Sequence, residues 1–235
     1  MSEDNIHNNK LCILGKLTAS LIHEIRNPLS VIKLNLDFMT MVDNELSEEL
    51  SESIELSKEA LVRIQRLVDT INDFSKKNPQ TESLSSLNDI TLQAISILKS
   101  VASNNNTRIS YELQENIPNL FFDKNKILQI ILNLLNNALE ACYDGGFICI
   151  KTFFNEDNAL IWQIEDNGVG IAEEVKEKIF NEFYTSKKEG TGLGLSVCKM
   201  ILDEYLSDLK FESELGQGSK FYILFNPNIL ENTHK

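Results

Sequence analysis

The sequence has few of the residues that mark membrane spans, secreted disulfide scaffolds and zinc sites. Its 235 residues include four cysteines, four prolines, three histidines and one tryptophan. The longest apolar run, "ILQIILNLL" at 127–135, falls well short of the roughly 18 residues that a transmembrane helix needs. The start "MSEDNIHNNK" has no signal-peptide pattern. We therefore expect a cytoplasmic chain without a membrane span.

The cysteines predict neither a disulfide framework nor a metal site. Cys12, Cys142, Cys149 and Cys198 are scattered among apolar neighbours, and none of them forms a CxxC pair. This spacing favours buried free thiols over disulfides or a zinc site, and free thiols suit a reducing cytoplasm.

The chain is also short of positive charge. Its lysines and arginines number 22 against 35 aspartates and glutamates, which gives a net charge of −13. A nucleic-acid backbone or an anionic membrane surface would be repelled by this charge, so neither is expected as the main partner. Basic partners and magnesium-bound nucleotides remain open.

Residues 11 to 71 show helical periodicity in two segments. The main apolar stripes are Ile22, Ile25, Leu29, Ile32, Leu36 and Met39 in the first segment, and Leu50, Ile54, Leu61, Ile64, Val68 and Ile71 in the second. These stripes predict a helical hairpin. The first helix carries a second stripe that one partner helix cannot cover, so we expect two copies to form a four-helix bundle. The alternative is a monomeric hairpin packed on the rest of the chain.

A polar stretch separates this hairpin from a region of different character. "SKKNPQTESLSSLND" at 75–89 predicts a linker and divides the chain into domains 1–78 and 79–235. Predicted helices follow near 90–101, 123–142 and 192–206, with predicted strands at 108–113, 147–154, 159–165, 209–215 and 220–225. This mixture predicts an α+β sandwich in which helices cover one face of a single sheet.

The helix "ILQIILNLLNNALEAC" carries a polar face. Asn133, Asn137 and Glu140 follow one another at spacings of four and three, so they share one side of the helix. An amide oxygen is a hard, neutral ligand that suits Mg²⁺ alongside substrate phosphates. The alternative for this helix alone is an ordinary solvated face.

The motif "EDNGVGI" places Asp166 just before Gly168 and Gly170. The glycines permit positive φ angles and close approach of the backbone to a ligand. An aspartate at the floor of such a pocket can accept a hydrogen bond from an exocyclic amine, and adenine has one. Taken alone, however, "DNG" is an ordinary turn signal.

The loop "KKEGTGLGLS" at 187–196 precedes an amphipathic helix. Its backbone N–H groups and the positive end of the helix dipole can hold phosphate oxygens, and Lys187 or Lys188 can add a charge. The spacing is neither that of a Rossmann motif nor that of a Walker motif, and a plain glycine-rich loop is the alternative. Together the three motifs predict one pocket for a magnesium-bound nucleotide.

The only histidine in a periodic segment is His23, in "SLIHEIRNPLS". It lies outside both apolar stripes, so we expect its imidazole to face solvent rather than the core. Without partner histidines or paired cysteines, a metal site is disfavoured. A neutral imidazole, with a reference pKa of about 6.5, is a competent nucleophile near neutral pH.

Taken in order, the motifs resemble a known family. "HEIRNPL", "NLLNNALEA", "DNGVGI", "IFNEFYTSKKEGTGLGL" and "GQGSKF" resemble the H, N, G1, F with G2, and final glycine boxes of two-component sensor histidine kinases. The resemblance covers about residues 11–226 and is greatest to the nitrogen-regulation and sporulation kinases. It implies a dimerisation and histidine-phosphotransfer domain at 1–78 and a Bergerat-type catalytic ATP-binding domain at 79–235.

The resemblance assigns roles in the first domain. It makes His23 the phosphoacceptor and Glu24 the general base that takes the ring proton. Asn27 matches the second polar position of a phosphatase motif, where it would orient a water. Pro28 removes a helical hydrogen bond, so a kink is expected beside the reactive histidine.

In the second domain the resemblance implies ATP and Mg²⁺ as cofactors. Asn137 matches the metal-binding asparagine, and Asp166 matches the adenine-reading aspartate. The aromatic box of the ATP lid corresponds to Phe180, Phe183 and Tyr184. The implied nucleotide-binding residues are Asn133, Asn137, Asp166, Gly168, Gly170, Lys187, Lys188, Gly190, Thr191, Gly192, Leu193, Gly194 and Ser219. Glu140 departs from the pattern, because many relatives carry a basic residue there.

The implied activity is autophosphorylation of His23 by ATP, followed by transfer of the phosphoryl group to an aspartate of a response-regulator receiver domain. A response-regulator phosphatase activity is possible in addition. The alternatives are a serine kinase like the anti-sigma-factor relatives, and a phosphorelay scaffold with a degenerate nucleotide site. No sensor domain precedes Leu11, so we expect input from a separate sensor protein or from a sensor domain missing here.

We predict that the chain is a homodimer, because the doubly striped first helix needs a second hairpin to cover it. Gel filtration with light scattering should give about twice the mass of one chain at micromolar concentration. A monomeric mass under those conditions would contradict the four-helix bundle.

Overall fold

The computed structural model describes residues 25, 27–39, 48, 50, 52–58, 60–61, 64, 82–142, 145–187, 192–227 and 229. Contacts within the chain divide it into two compact units, residues 1–78 and 79–235. Among the described residues, no helix combines the length and the apolar character that a bilayer crossing requires.

In the first unit, residues 27–39 and 52–58 are helical, as the apolar stripes predict. Several large apolar side chains of these helices are exposed in the single chain, namely Leu29, Leu34, Leu36, Leu56 and Leu61. Leu34 is the most exposed of them, at 71%. Exposed apolar side chains of this kind fit a surface that a second hairpin covers. The kink expected at Pro28 involves Glu24, which lies outside the described residues.

Among its described residues, the second unit contains seven strands and three helices. The strands are β1 Glu82–Ser85, β2 Thr107–Leu113, β3 Leu120–Asp123, β4 Gly146–Phe154, β5 Leu160–Asp166, β6 Asp208–Glu214 and β7 Gly218–Leu224. The helices are α1 Leu87–Asn104, α2 Lys124–Ala141 and α3 Gly194–Glu204, with a 3-10 turn at Glu173–Val175. Every strand and helix predicted for this region is present, with ends shifted by a few residues.

The strands form one main sheet of order β2-β4-β5-β7-β6. β2 and β4 are parallel, and the other neighbours are antiparallel. The predicted hairpin of β4 and β5 is confirmed, and its turn places Asn158 at a φ of 57°. A mixed sheet packed against helices is the α+β sandwich that the sequence predicts.

Residues 82–85 correct one prediction. The sequence predicts a linker across 75–89, but Glu82–Ser85 forms β1 and pairs antiparallel with β3, which the sequence patterns also missed. Most residues of β1 are exposed and polar, so no apolar alternation marks the strand. Its extended form depends on pairing with the mostly buried strand Leu120–Asp123, and a contact so distant in sequence leaves no local pattern.

The core lies between the sheet and the three helices. β4 and β5 turn Ile148, Ile150, Trp162 and Ile164 inward, and all four are buried. The facing side of α2 is fully apolar, with buried Ile127, Ile130, Ile131, Leu134, Leu135, Ala138 and Leu139. Helix α2 contacts both α1 and α3, so it is the central helix of the layer. Its polar face is therefore held in a fixed orientation.

The buried indole of Trp162 has one polar partner on the helical layer. Its Nε1–H donates to Thr91 Oγ1 at 3.0 Å, and the Thr91 hydroxyl donates to the Leu87 carbonyl at 2.8 Å. Trp162 and Thr91 are both 0% exposed, so water cannot replace either bond.

We expect Thr91→Val to lower the free energy of unfolding by about 1–3 kcal/mol, because it leaves the buried indole N–H without an acceptor. Urea unfolding followed by Trp162 fluorescence measures this change, since Trp162 is the single tryptophan. The control is Ser103→Ala, which removes an exposed hydroxyl from the same helix and should cost less than about 0.5 kcal/mol. Equal stabilities of the Thr91 variant and the wild type would contradict the assignment.

Candidate functional site

The three predicted pocket motifs meet in the second unit. The Val169 N–H donates to the Ala141 carbonyl at 3.2 Å, which fixes the "DNGVGI" turn against the end of α2. The Asn133 amide donates to the Gly194 carbonyl at 3.4 Å, which ties α2 to the start of α3. These contacts place the polar face of α2 between the turn and the glycine-rich loop, as the sequence predicts.

Asp166 is the last residue of β5 and is only 7% exposed. Its Oδ1 accepts a hydrogen bond from the Gly168 N–H at 2.8 Å, and the backbone N–H of Ser219 also donates to the carboxyl. Burial raises the pKa of this carboxyl above its usual value, and the two backbone donors counteract only part of that rise. The result is an acceptor group held in a nearly dry position.

The glycines after Asp166 are required by the neighbouring backbone. Gly170 has a φ of +68°, and a Cβ there would lie 2.0 Å from the Glu214 carbonyl oxygen. A Cβ on Gly168 would lie 2.6 Å from the Ala141 carbonyl oxygen. The sequence predicts that both glycines allow the backbone to approach a ligand closely. Close packing of the chain on itself already accounts for them.

Asn137 lies one turn after Asn133 on the polar face of α2. The Lys187 ammonium group donates to Asn137 Oδ1 at 3.2 Å and also contacts the Glu140 carboxylate. The amide oxygen of Asn137 therefore faces a cationic group. An oxygen already oriented towards a cation fits the predicted Mg²⁺ ligand.

Asn133 also contacts a buried cysteine of α3. Its amide also lies 3.8 Å from the Cys198 sulfur, whose thiol in turn points to the Ile130 carbonyl. Burial raises the pKa of Cys198 to about 12, so the thiol stays protonated at neutral pH. Cys142, Cys149 and Cys198 are all buried and free, as the sequence predicts.

Helix α3 begins at Gly194, directly after the glycine-rich loop. Its N-cap is the buried Leu193, whose aliphatic side chain has no group that could cap the helix. The first-turn N–H groups and the positive end of the helix dipole suit a phosphate group. A phosphate site at the start of α3 stays a prediction.

A backbone hydrogen bond joins two described residues of the predicted ATP lid. The Phe183 N–H donates to the Gly192 carbonyl at 3.0 Å, and both residues have positive φ angles, of 63° and 66°. A Cβ on Gly192 would lie 2.3 Å from the Phe183 carbonyl carbon. Phe180 packs edge-on against Phe211 of β6 at 5.6 Å, so one member of the predicted aromatic box anchors the lid to the sheet.

Two cavities border the sheet. One, of about 320 Å³, is lined by Asp166, Ser213 and Ser219 among others and belongs to the predicted nucleotide site. A larger one, of about 500 Å³, lies at the β2–β4 edge, where Lys151 pairs with Glu112 at 2.8 Å. None of the predicted motifs borders the larger cavity, so size does not identify the site here.

Several predicted site residues lie outside the described residues: His23, Glu24, Lys188, Gly190 and Thr191. Their assignments remain predictions. Asn27 is described and lies exposed on the helix 27–39.

Ser213 is not among the residues that the sequence motifs predict for the site. It faces Ser219 across β6 and β7, and its hydroxyl bonds to three neighbouring groups. The signal was present in "LKFESEL", because Ser213 stands in the inward register of Leu209 and Phe211. Gly218 was quoted only within a motif, yet a Cβ there would lie 2.0 Å from the Asp166 carbonyl oxygen.

Fold and site together define a nucleotide-binding α+β domain joined to a helical hairpin. Residues 13–80 match the His Kinase A (phospho-acceptor) domain. Residues 122–229 match the "Histidine kinase-, DNA gyrase B-, and HSP90-like ATPase" domain. The chain belongs to the two-component histidine kinases, of which it carries the phospho-acceptor and ATPase domains.

The curated relatives include sporulation kinases D and E of Bacillus subtilis (strain 168). Kinase D is 34% identical, with 91% of this chain and 42% of the relative covered, and kinase E is 30% identical, with 91% and 28% covered. Sensor histidine kinase ZraS of Salmonella typhimurium is 32% identical, with 91% and 46% covered. The chain therefore spans half or less of the length of these relatives.

Solved structures give the same class. The histidine kinase ThkA, in complex with the response regulator protein TrrA, is 28% identical with a TM-score of 0.74, and 94% of this chain and 64% of that one are covered. Full-length ShkA in complex with AMPPNP has a TM-score of 0.63 over 89% of this chain and 45% of that one. At 20% identity, the likeness to ShkA supports the fold alone.

We expect Asp166→Asn to stabilise the second unit, with a gain that grows as pH rises. Burial raises the pKa of Asp166 above 3.8, so the folded state loses stability as pH rises through that higher value, whereas an amide does not ionise. Urea unfolding followed by Trp162 fluorescence measures the free energy of unfolding. The excess of the variant over the wild type should be larger at about pH 7 than at about pH 4.

The matched control is Asp157→Asn, at an exposed aspartate of the β4–β5 turn. A stability difference between Asp166→Asn and the wild type that stays constant over this pH range would show that burial does not disfavour the ionised carboxylate.

Proposed function

We propose that the chain is an ATP-dependent protein-histidine kinase that phosphorylates His23 and passes the phosphoryl group to an aspartate of a response-regulator receiver domain. The observation that carries this proposal is the order of the two domain matches. A phospho-acceptor domain spanning His23 precedes an ATPase domain whose pocket has the matching polar groups.

The nucleotide would bind with its base beside Asp166 and Ser219, and with its phosphates at the start of α3. The first turn of α3 offers backbone N–H groups, and Lys187 offers a positive charge. Lys188, Gly190 and Thr191 belong to the same loop of the sequence and are proposed to complete the phosphate contacts. Asn137 would hold Mg²⁺ through its Oδ1. Bound Mg²⁺ supplies charge neutralisation on the phosphates.

The chemistry at His23 is a displacement at phosphorus. A ring nitrogen of the neutral imidazole forms a bond to the γ-phosphorus of ATP, the bond from that phosphorus to the bridging oxygen breaks, and ADP leaves. Glu24 accepts the proton from the other ring nitrogen, so that the imidazole does not accumulate positive charge. Positioning by the two domains supplies most of the rate, because the transferred group needs little covalent assistance.

The proposed partners are a second copy of the chain and a response regulator. The exposed apolar side chains of the first unit support the homodimer. The structure of ThkA in complex with the response regulator protein TrrA supports the second partner by similarity. Asn27, exposed on the helix 27–39, is available to orient a water in a phosphatase reaction. We propose a cytoplasmic location, with input from a separate sensor or a further sensor domain.

We expect His23→Gln to abolish labelling of the chain by γ-labelled ATP with Mg²⁺, because glutamine has no nucleophilic ring nitrogen. The wild-type label should be acid-labile and alkali-stable, as a phosphoramidate is. The matched control is His7→Gln, which changes another histidine of the same unit and should retain full labelling.

An acid-stable label would favour the serine-kinase alternative, and label that persists in His23→Gln would exclude His23 as acceptor. A wild-type chain that binds ATP and Mg²⁺ without labelling would favour the scaffold alternative.

A further inference from the structure

We propose that Ser213 is a positioning residue that determines base preference in this site. It accepts a hydrogen bond from the Ser219 hydroxyl, so that Ser219 presents only acceptor lone pairs to the base. The inference rests on the proposed function and deepens it, because it names which purines the pocket accepts.

The Ser213 hydroxyl has three neighbours at hydrogen-bond distance. Its Oγ lies 2.8 Å from the Gly218 carbonyl oxygen, 2.8 Å from the Ile171 nitrogen and 2.9 Å from Ser219 Oγ. A carbonyl oxygen can only accept, so the one proton of Ser213 goes to Gly218. A backbone N–H can only donate, so Ile171 occupies one lone pair of Ser213.

The direction of the remaining bond follows from this count. Ser213 has no second proton to give, and one of its lone pairs is still open. The contact between the two hydroxyls therefore has Ser219 as donor and Ser213 as acceptor. Once its proton is committed, Ser219 keeps two lone pairs and no donor.

Ser219 and Asp166 form one recognition surface. They are register partners on β7 and β5, each is 7% exposed, and both line the cavity of about 320 Å³. An ionised carboxylate is also a pure acceptor. Two buried acceptors match an amino group at purine position 6 and disfavour a carbonyl oxygen at the same position, because buried lone pairs would then face each other.

The test compares binding of magnesium-bound ADP and IDP to the full chain by calorimetry. These nucleotides differ at position 6, where IDP has a carbonyl oxygen and an adjacent N–H, and neither donates a phosphoryl group to His23. The wild type should prefer ADP. Ser213→Ala frees the Ser219 proton to turn towards a carbonyl oxygen, so the ratio of ADP to IDP affinity should fall about fivefold.

Two variants separate positioning from general support of the fold. Ser213→Thr keeps the hydroxyl and suits a strand, so it should restore the wild-type ratio. Ser110→Ala removes a serine hydroxyl from β2, far from the site in the sheet order, and should leave the ratio unchanged. If Ser213→Ala does not fold, Ser213→Cys, with a weaker acceptor, should lower the ratio in the same direction.

A ratio that stays constant while both affinities fall would overturn the inference, because loss of the Ile171 contact alone would produce it. An unchanged ratio with unchanged affinities would overturn it as well. Failure of the wild type to bind either nucleotide would instead overturn the proposed function.

Discussion

The site depends on the way the turn after β5 is clamped between two other parts of the chain. On one side the Val169 N–H bonds to the end of α2, and on the other the Gly216 N–H bonds to the Val169 carbonyl at 2.8 Å. The backbones approach so closely that Gly168, Gly170 and Gly218 leave no room for a Cβ. Because this clamp fixes the backbone around Asp166, it also fixes the buried carboxyl of the predicted pocket.

Much of the fold could be predicted because the second unit follows local rules. Its helices carry 3.6-residue apolar stripes, and its strands alternate, so both types of element are visible in short windows. The pairing of β1 with β3 could not be predicted, since a polar four-residue strand becomes extended only through a partner distant in sequence. The parallel pairing of β2 and β4 is likewise a non-local contact, which no turn motif predicts.

The candidate site was predictable to the extent that its chemistry resides in residue types. Asp166 and Asn137 could be predicted as site residues because several motifs follow one another in an order that indicates one pocket, although each motif alone has an ordinary structural alternative. Ser213 was not found, since a serine in a strand is unremarkable until its three hydrogen bonds are seen. The glycines could be identified from the sequence, but only part of their role could be predicted. The sequence shows their conformational freedom, whereas the neighbouring carbonyl groups that leave no room for a Cβ are seen only in the structure.

The contact of Lys187 with Asn137 has a thermodynamic consequence for the proposed kinase. If Asn137 binds Mg²⁺ as proposed, the metal ion and the Lys187 ammonium group would repel each other at the same amide oxygen, so the two contacts would compete. By linkage, the contact of Lys187 with Asn137 would weaken metal binding by the same factor by which the metal would weaken that contact. Glu140, which also contacts Lys187, would favour the lysine contact. In the proposed kinase, Glu140 would therefore couple the position of Lys187 to metal affinity.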